Sequence, residues 1–497
     1  MKNDIVLYER IYQLLKGHIE CGILPPGAKL PSRVELCKEF QVSEKTVRRV
    51  LELLAEKGLI ETQQRKRPVV NAPAAAGGDA GAALLPAAPK DVFDTGRLLC
   101  YPVVERGAAL CAQEDWAIPA AVLARMDPAH GAPFWRLSHR FWRFFIARNG
   151  NDLILRAVDS LGFFNLEPLP GTLALREGYL RSLQRFMGAA AQGGGAERAL
   201  FECLSQLYGP GGKRAQFESR YRTPPGSPPR AGLMGLEQRL RSAEERYSHV
   251  YMDMLGLIAI GRYLPGDRLP SHKELQRLYD VSGDTTARAV QTLQEWGVVT
   301  AKRGRGIYVA MDLAGLQNVQ IDPGLLGCHL RRFLDSLELL SLTAEGVAAH
   351  AAASIPAEAA KAFLQKMDRL WNAAYLYQLT PMALLEFITG YIQYPSLKEI
   401  YQVVAKNYHI GRCIPRLVTQ GKTAQSRAIH AQGTEAVECL LRGDAAGFAQ
   451  KASAMFGYVH GLVAQACKSL GYWEAAGKVY DGTALWKKTN FIAKDDA

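Results

Sequence analysis

The sequence predicts a mainly α chain: two copies of a three-helix unit closed by a small β-hairpin, each followed by an all-α helical bundle. Three observations carry this. The chain repeats itself without a gap, because sliding it by 239 places aligns residues 8–70 with 247–309 at about a third identity. Each copy has apolar residues at helical spacing, interrupted by Pro/Gly turns. Each copy closes on a glycine, Gly58 or Gly297, followed by a short strand–turn–strand pattern.

The elements of one copy follow in order. Val6, Ile11, Leu14, Leu15 and Ile19 form one apolar stripe, a first helix stopped near Gly22 and the Pro25-Pro26-Gly27 turn. Ser32 and Glu35 stand three apart as a capping box, and Ser271 and Glu274 repeat it. A short second helix follows, with Leu36 and Phe40 inward. Gln41-Val42-Ser43 is a tight turn, and Ser43 caps the third helix. There Val47, Val50, Leu51 and Leu54 face the core at i, i+3, i+4, i+7, which leaves Lys45, Arg48, Arg49 and Glu52 outside. LIET and RPVVN pair as a hairpin with Arg65 and Lys66 near its tip; VVTAKRGRGIYVA is its counterpart, tipped by Lys302, Arg303 and Arg305. Two helices joined by a tight turn, the second free on a basic face, with a basic hairpin beside it, make a winged helix-turn-helix. Its second helix suits the major groove of double-stranded DNA.

Bulk properties agree. The 497 residues suggest roughly three or four domains. With 48% hydrophobic and 22% charged residues, ordinary cores form and wholesale disorder is excluded. The net charge of +12 favours an anionic partner. The nine cysteines contain no C-x-x-C pair and read as reduced thiols. The charged, amphipathic start is no secretory signal, and no run of apolar residues is long enough to span a membrane. A cytoplasmic protein is expected. Phosphate loops, nucleophile elbows and paired carboxylates are absent, so no enzyme is expected and no cofactor.

The organisation reads as a winged domain over 1–73, a linker over 74–96, a helical domain over 97–222, a basic Pro/Gly linker over 223–240, a second winged domain over 241–312 and a second helical domain over 313–490.

The repeated segments resemble the DNA-binding domain of the GntR family of bacterial regulators. GAKLPSRVELCKEF, VSEKTVRRVL and LLAEKGLIE carry the likeness in the first copy; GDRLPSHKELQRLY, VSGDTTARAV, LQEWGVV and RGRGIYV carry it in the second. The resemblance implies DNA contacts by Ser32, Ser43, Thr46 and Arg48, and by Lys273, Ser282, Thr285 and the wing Arg303-Gly304-Arg305-Gly306. Arg33, Lys45, Arg49, Arg65, Lys66, Ser271 and Arg288 join them as polar neighbours on the same elements. The copies depart from the pattern differently. Val34 and Glu44 replace arginines in the first, whose wing lacks glycine. Gly283 and Ala287 replace them in the second. The first copy keeps the better recognition helix and the second the better wing, so the two are expected to read different base sequences.

In this family the helical domain senses a small metabolite, and one subgroup holds a metal with an Asp and three His. LLRGDAAGFAQKASAMFGYV (440–459) and LLEFITGYIQYPSLKEIY (384–401) look like that subgroup's last turn and helix and its central helix, with FWRFFIARNGNDLILRAVDSL (141–161) in the latter role in the first half. Trp142, Ile388 and Met455 stand where metal-binding histidines belong, so no metal site is expected. Tyr391, Arg412, Arg416, His430 and Tyr458 are the candidate lining of an effector pocket. The resulting expectation is an effector-responsive transcriptional regulator acting as a covalent pseudo-dimer, open to further self-association. The alternative is a tandem winged-helix replication or architectural protein without an effector.

Overall fold

The computed structural model describes residues 11–12, 15–16, 19, 27, 29–40, 43–63, 66–71, 89–161, 167–168, 172–191, 199, 221–222, 244–259, 261–279, 281–302, 305–316, 323–373, 376–408, 411 and 421–477. They fall into two compact halves divided between Leu240 and Arg241.

In the first half, Ile11, Tyr12 and Leu15 are helical and buried. Helices α1 (Arg33–Phe40) and α2 (Glu44–Glu56) follow, then the antiparallel pair β1 (Ile60–Glu61) and β2 (Val69–Val70). The core is Leu30, Leu36, Val47, Val50, Leu51, Leu54, Ile60 and Val70, all at 3% exposure or less. Lys29 bridges Val69, which adds a third edge to the hairpin.

The bundle of this half comprises α3 (Pro89–Ala109), α4 (Ala117–Ala124), α5 (Gly131–Arg148), α6 (Asp152–Leu161) and α7 (Leu173–Ala191). It corrects two expectations. Residues 89–96 are helix, not linker: Pro89 suits a first helical turn, where its missing N–H is no loss, and Val92 and Phe93 are fully buried. The stretch 97–222 is not purely helical either, because β3 (Glu167–Pro168) pairs antiparallel with β4 (Tyr221–Arg222). Aromatic rings fill the bundle: Phe141, Trp142, Phe145 and Phe186 lie within 4.9–6.4 Å of one another. Trp142 is fully buried, and its indole N–H donates to the Tyr179 hydroxyl at 2.7 Å.

The second half repeats the winged architecture as α8 (Glu244–Ala259), α9 (His272–Tyr279), α10 (Gly283–Glu295), β5 (Val299–Lys302) and β6 (Gly306–Val309). The longer hairpin pairs Val299 with Val309 and Lys302 with Gly306, and Arg268 bridges Tyr308 as Lys29 bridges Val69. Gly27 and Gly266 take φ of 84° and 92°, and each donates its N–H to the last strand, to Val70 at 2.7 Å and Val309 at 2.8 Å. Gly58 and Gly297, at φ 67° and 71°, end the third helix of each copy; a left-handed residue there favours glycine.

After the short α11 (Leu313–Leu316) come α12 (Pro323–Ala352), α13 (Ala357–Asn372), α14 (Thr380–Gly390), α15 (Pro395–Tyr408), α16 (Ala424–Leu441), α17 (Ala445–Ser469) and α18 (Tyr472–Gly477). Asp444 caps α17 by accepting from the Gly447 N–H at 2.8 Å. The winged domain and this bundle share one core. Tyr251 of α8 is fully buried, with its ring edge-on to Trp296 at 5.2 Å and 6.5 Å from His329 of α12. Among the described residues, no helix is long and apolar enough to cross a membrane.

Candidate nucleic-acid interface

Both capping boxes form. The Glu35 carboxylate accepts from the Ser32 N–H at 2.7 Å, and the Ser32 hydroxyl accepts from the Glu35 N–H at 3.3 Å. In the second copy the corresponding distances are 2.7 Å and 3.4 Å, and the Ser271 hydroxyl also donates to Glu274 at 2.7 Å. These bonds hold the Glu274 carboxyl below its usual pKa, the Ser271 hydroxyl contributing most. The entry of each second helix is thereby fixed, with Arg33, His272 and Lys273 exposed beside it.

The third helices start alike. Ser43 Oγ accepts from the Thr46 N–H at 3.2 Å, and Ser282 Oγ from the Thr285 N–H at 3.2 Å. In each, the Ser and Thr hydroxyls lie 2.9 Å apart. The N-cap backbone is extended in both, φ −68° with ψ 154° and 162°. Thr46 is only 3% exposed, whereas Thr285, with the same hydroxyl pair, is half-buried.

Outside this shared frame the two faces diverge. On α2, Glu44, Lys45, Arg48, Arg49, Glu52 and Glu56 are exposed. Arg48 lies 3.6 Å from Glu52, and Arg49 lies 3.5 Å from both Glu52 and Glu56. Such exposed pairs contribute about 0.3–0.5 kcal/mol, so either guanidinium is readily released to a phosphate or a base. On α10 the matched face offers Gly283, Asp284, Ala287, Arg288 and Gln291.

The wings diverge the other way. Lys302 and Arg305 are exposed at the second hairpin, where the Tyr308 hydroxyl donates to the Arg305 carbonyl at 2.9 Å and Lys302 Nζ stands 6.0 Å from the Tyr308 ring. Gly306 takes φ 118°, and a Cβ there would lie 2.9 Å from Arg268 Nε. In the first copy Arg67 occupies the position of Gly306, and its guanidinium sits 3.3 Å from Glu35. Lys66 is exposed; Arg65, Arg303 and Gly304 lie outside the described residues.

Three of the candidate effector residues, His430, Tyr391 and Tyr458, stand on α16, at the end of α14 and on α17. His430 is half-buried on α16, stacked on Trp371 at 4.2 Å and 5°, with Nδ1 3.5 Å from the Thr380 hydroxyl. Burial holds its pKa down, against the pull of Asp368. Tyr391 caps α14, 5.3 Å from the Phe387 ring, and Tyr458 on α17 is exposed. Among the described residues no hydrogen bond or ring contact joins these three, and Arg412 and Arg416 lie outside them. Sequence reasoning missed Trp371, because a tryptophan ending an amphipathic helix reads as core. Ile388 and Met455 are buried at 1% and 0% exposure, so two of the positions where the subgroup places metal-binding histidines are packed apolar groups.

Residues 7–70 and 246–309 each match the family model for bacterial regulatory proteins, gntR family. An uncharacterized HTH-type transcriptional regulator of Bacillus subtilis, YurK, is 39% identical over 67 residues, 14% of this chain and 28% of that protein. The Uxu operon transcriptional regulator of Escherichia coli is 32% identical over 111 residues, 22% of this chain and 42% of that protein. The HTH-type transcriptional repressor YtrA of Bacillus subtilis is 33% identical over 70 residues, 14% of this chain and 54% of that protein. The chain therefore spans between 28% and 54% of the length of these relatives.

Proposed function

From the premise that this chain carries two gntR-family helix-turn-helix domains, we propose that it is a sequence-specific, double-stranded DNA-binding transcriptional regulator acting as a covalent pseudo-dimer. The observation that carries the reading is the pair of third helices. Each is locked on one side by buried apolar residues and capped by the same Ser–Thr geometry, and each leaves a polar face open. The printed names of the relatives, a transcriptional regulator and a transcriptional repressor, support the regulatory role.

In this account α2 and α10 enter the major groove of two half-sites, and the hairpins lie against the flanking backbone. Arg33, Lys45, Arg48 and Arg49 serve the first half-site, with Lys66 from its wing. Lys273, Arg288, Lys302 and Arg305 serve the second. Tethering makes the second contact intramolecular, at an effective concentration on the order of mM. Because the open faces differ, the operator is asymmetric.

The helical domains supply the response. The second winged domain shares its core with α12 through Tyr251 and His329, so a metabolite that binds one arrangement of the bundle more tightly also biases the winged domain. The Trp371–His430 stack, with Lys422 Nζ 4.4 Å from the Trp371 ring, is a polar-aromatic group suited to such a ligand.

The test is selection of bound duplexes from a random pool by the full-length chain. Two dissimilar half-sites enriched together support the proposal. A single half-site, or no enrichment over a heparin-like polyanion, contradicts it.

A further inference from the structure

We propose that Asp284 reads cytosine in one half-site where Lys45 reads guanine in the other, so that one matched base pair is inverted between the two halves of the operator. This deepens the DNA-reading proposal above and rests on it.

The two residues occupy the same place. Each is the second residue after the capping serine of a third helix, and the caps agree in backbone angles, in the Ser–Thr amide bond of 3.2 Å and in the hydroxyl pair of 2.9 Å. Both side chains are exposed, and neither has a hydrogen bond or ion pair among the described residues. Their charges are opposite. The neighbourhood differs too: Arg48 and Arg49 follow Lys45 three and four places on, whereas Ala287 and Arg288 follow Asp284, so the carboxylate has one exposed cation after it where Lys45 has two.

The chemistry of the groove selects the partner. A carboxylate at the leading end of a recognition helix is repelled by phosphates and accepts hydrogen bonds only. The major groove offers two donors, the N4 amino group of cytosine and the N6 amino group of adenine. Adenine sets its N7 acceptor beside N6, which repels a carboxylate; cytosine has no acceptor there. The ammonium of Lys45 has the reverse preference, for the paired acceptors O6 and N7 of guanine. The divergence of the wings fits, because the second copy draws its phosphate affinity from Lys302 and Arg305 and leaves its helix free to carry an acid.

The experiment repeats the duplex selection with the full-length chain and with Asp284→Lys, Asp284→Asn and Lys45→Asp. Asp284→Lys is expected to change cytosine to guanine at one position of one half-site only, and Asp284→Asn to shift that position toward adenine. Lys45→Asp is expected to change guanine to cytosine in the other half-site. On the wild-type operator, swapping that cytosine for guanine is expected to weaken binding about 5–150-fold for the native chain and to strengthen it for Asp284→Lys. A helix-stabilising role alone would change melting temperature without moving base identity. If the native chain enriches an operator and neither Asp284 variant alters its base frequencies, the assignment is wrong while DNA reading stands. If the native chain enriches nothing, both fall.

Discussion

At the scale of single residues, charge and hydrogen-bond occupancy decide which polar groups are available to a partner. Arg48 is held by an exposed ion pair at 3.6 Å, so releasing it costs little. Arg48→Ala is expected to lose about 1–3 kcal/mol of binding on the half-site read by α2 if it contacts a base, with the other half-site unchanged; competition titrations against each scrambled half-site measure this. Glu274 supplies a pH signature. Its folded pKa lies below the ordinary value of 4.5 because Ser271 donates to its charged form. The stabilisation is therefore present above pH 4.5 and lost as pH falls through the folded value. In Ser271→Ala the acid limb of the unfolding profile is expected to be shallower, as read by circular dichroism of the full chain between pH 6 and 3. Legibility was good at this scale for groups fixed by local bonds. Ser32–Glu35 and Ser271–Glu274 are legible as three-residue patterns. The burial of Thr46 is not, because helical periodicity places Val47 on the core face and says nothing of the residue before it.

At the scale of elements, caps and close crossings set the positions of the readers. Ser43→Ala and Ser282→Ala each remove the acceptor for a first-turn N–H and are expected to cost about 0.5–2 kcal/mol in the stability of their winged domains. Hydrogen exchange at the amides of α2 and α10 separates the two effects. In the first bundle α3 crosses α5 at Gly107, where an added Cβ would lie 1.9 Å from the Phe145 carbonyl oxygen. Backbone cannot yield as a side chain can, so Gly107→Ala is expected to cost at least about 1–3 kcal/mol and to lower the melting temperature. A melt unchanged within error would refute that crossing. The turns at Gly27 and Gly266 and the helix ends at Gly58 and Gly297 were legible, since a turn or left-handed cap demands glycine there. The start of α3 was not: an Ala/Pro-rich run reads as linker until burial of Val92 and Phe93 shows a helix there. The β3–β4 pair and the Tyr251–His329 contact were equally hidden, because they join residues distant in sequence by packing alone.

At the scale of the whole molecule, the two matched winged domains differ in where their exposed charges stand. The first keeps three exposed cations on its recognition helix and ties Arg67 of its wing to Glu35. The second exposes Asp284 on its helix and Lys302 and Arg305 on its hairpin. On the proposed DNA-binding role, cations that meet phosphates release counterions, so the affinity of the full chain is expected to fall steeply with salt. Replacing both Lys302 and Arg305 by Ala is expected to reduce the log–log slope by about 2 and to weaken all sequences alike. A salt slope unaltered by that double substitution would remove the second wing from the interface. The most direct test of the central claim is the stoichiometry and affinity of the full-length chain on its selected duplex, compared with duplexes in which one half-site is scrambled. One chain per duplex is expected, with a loss of at least about a hundredfold on scrambling either half. Two chains per duplex, or equal affinity with only one half-site intact, would contradict the account.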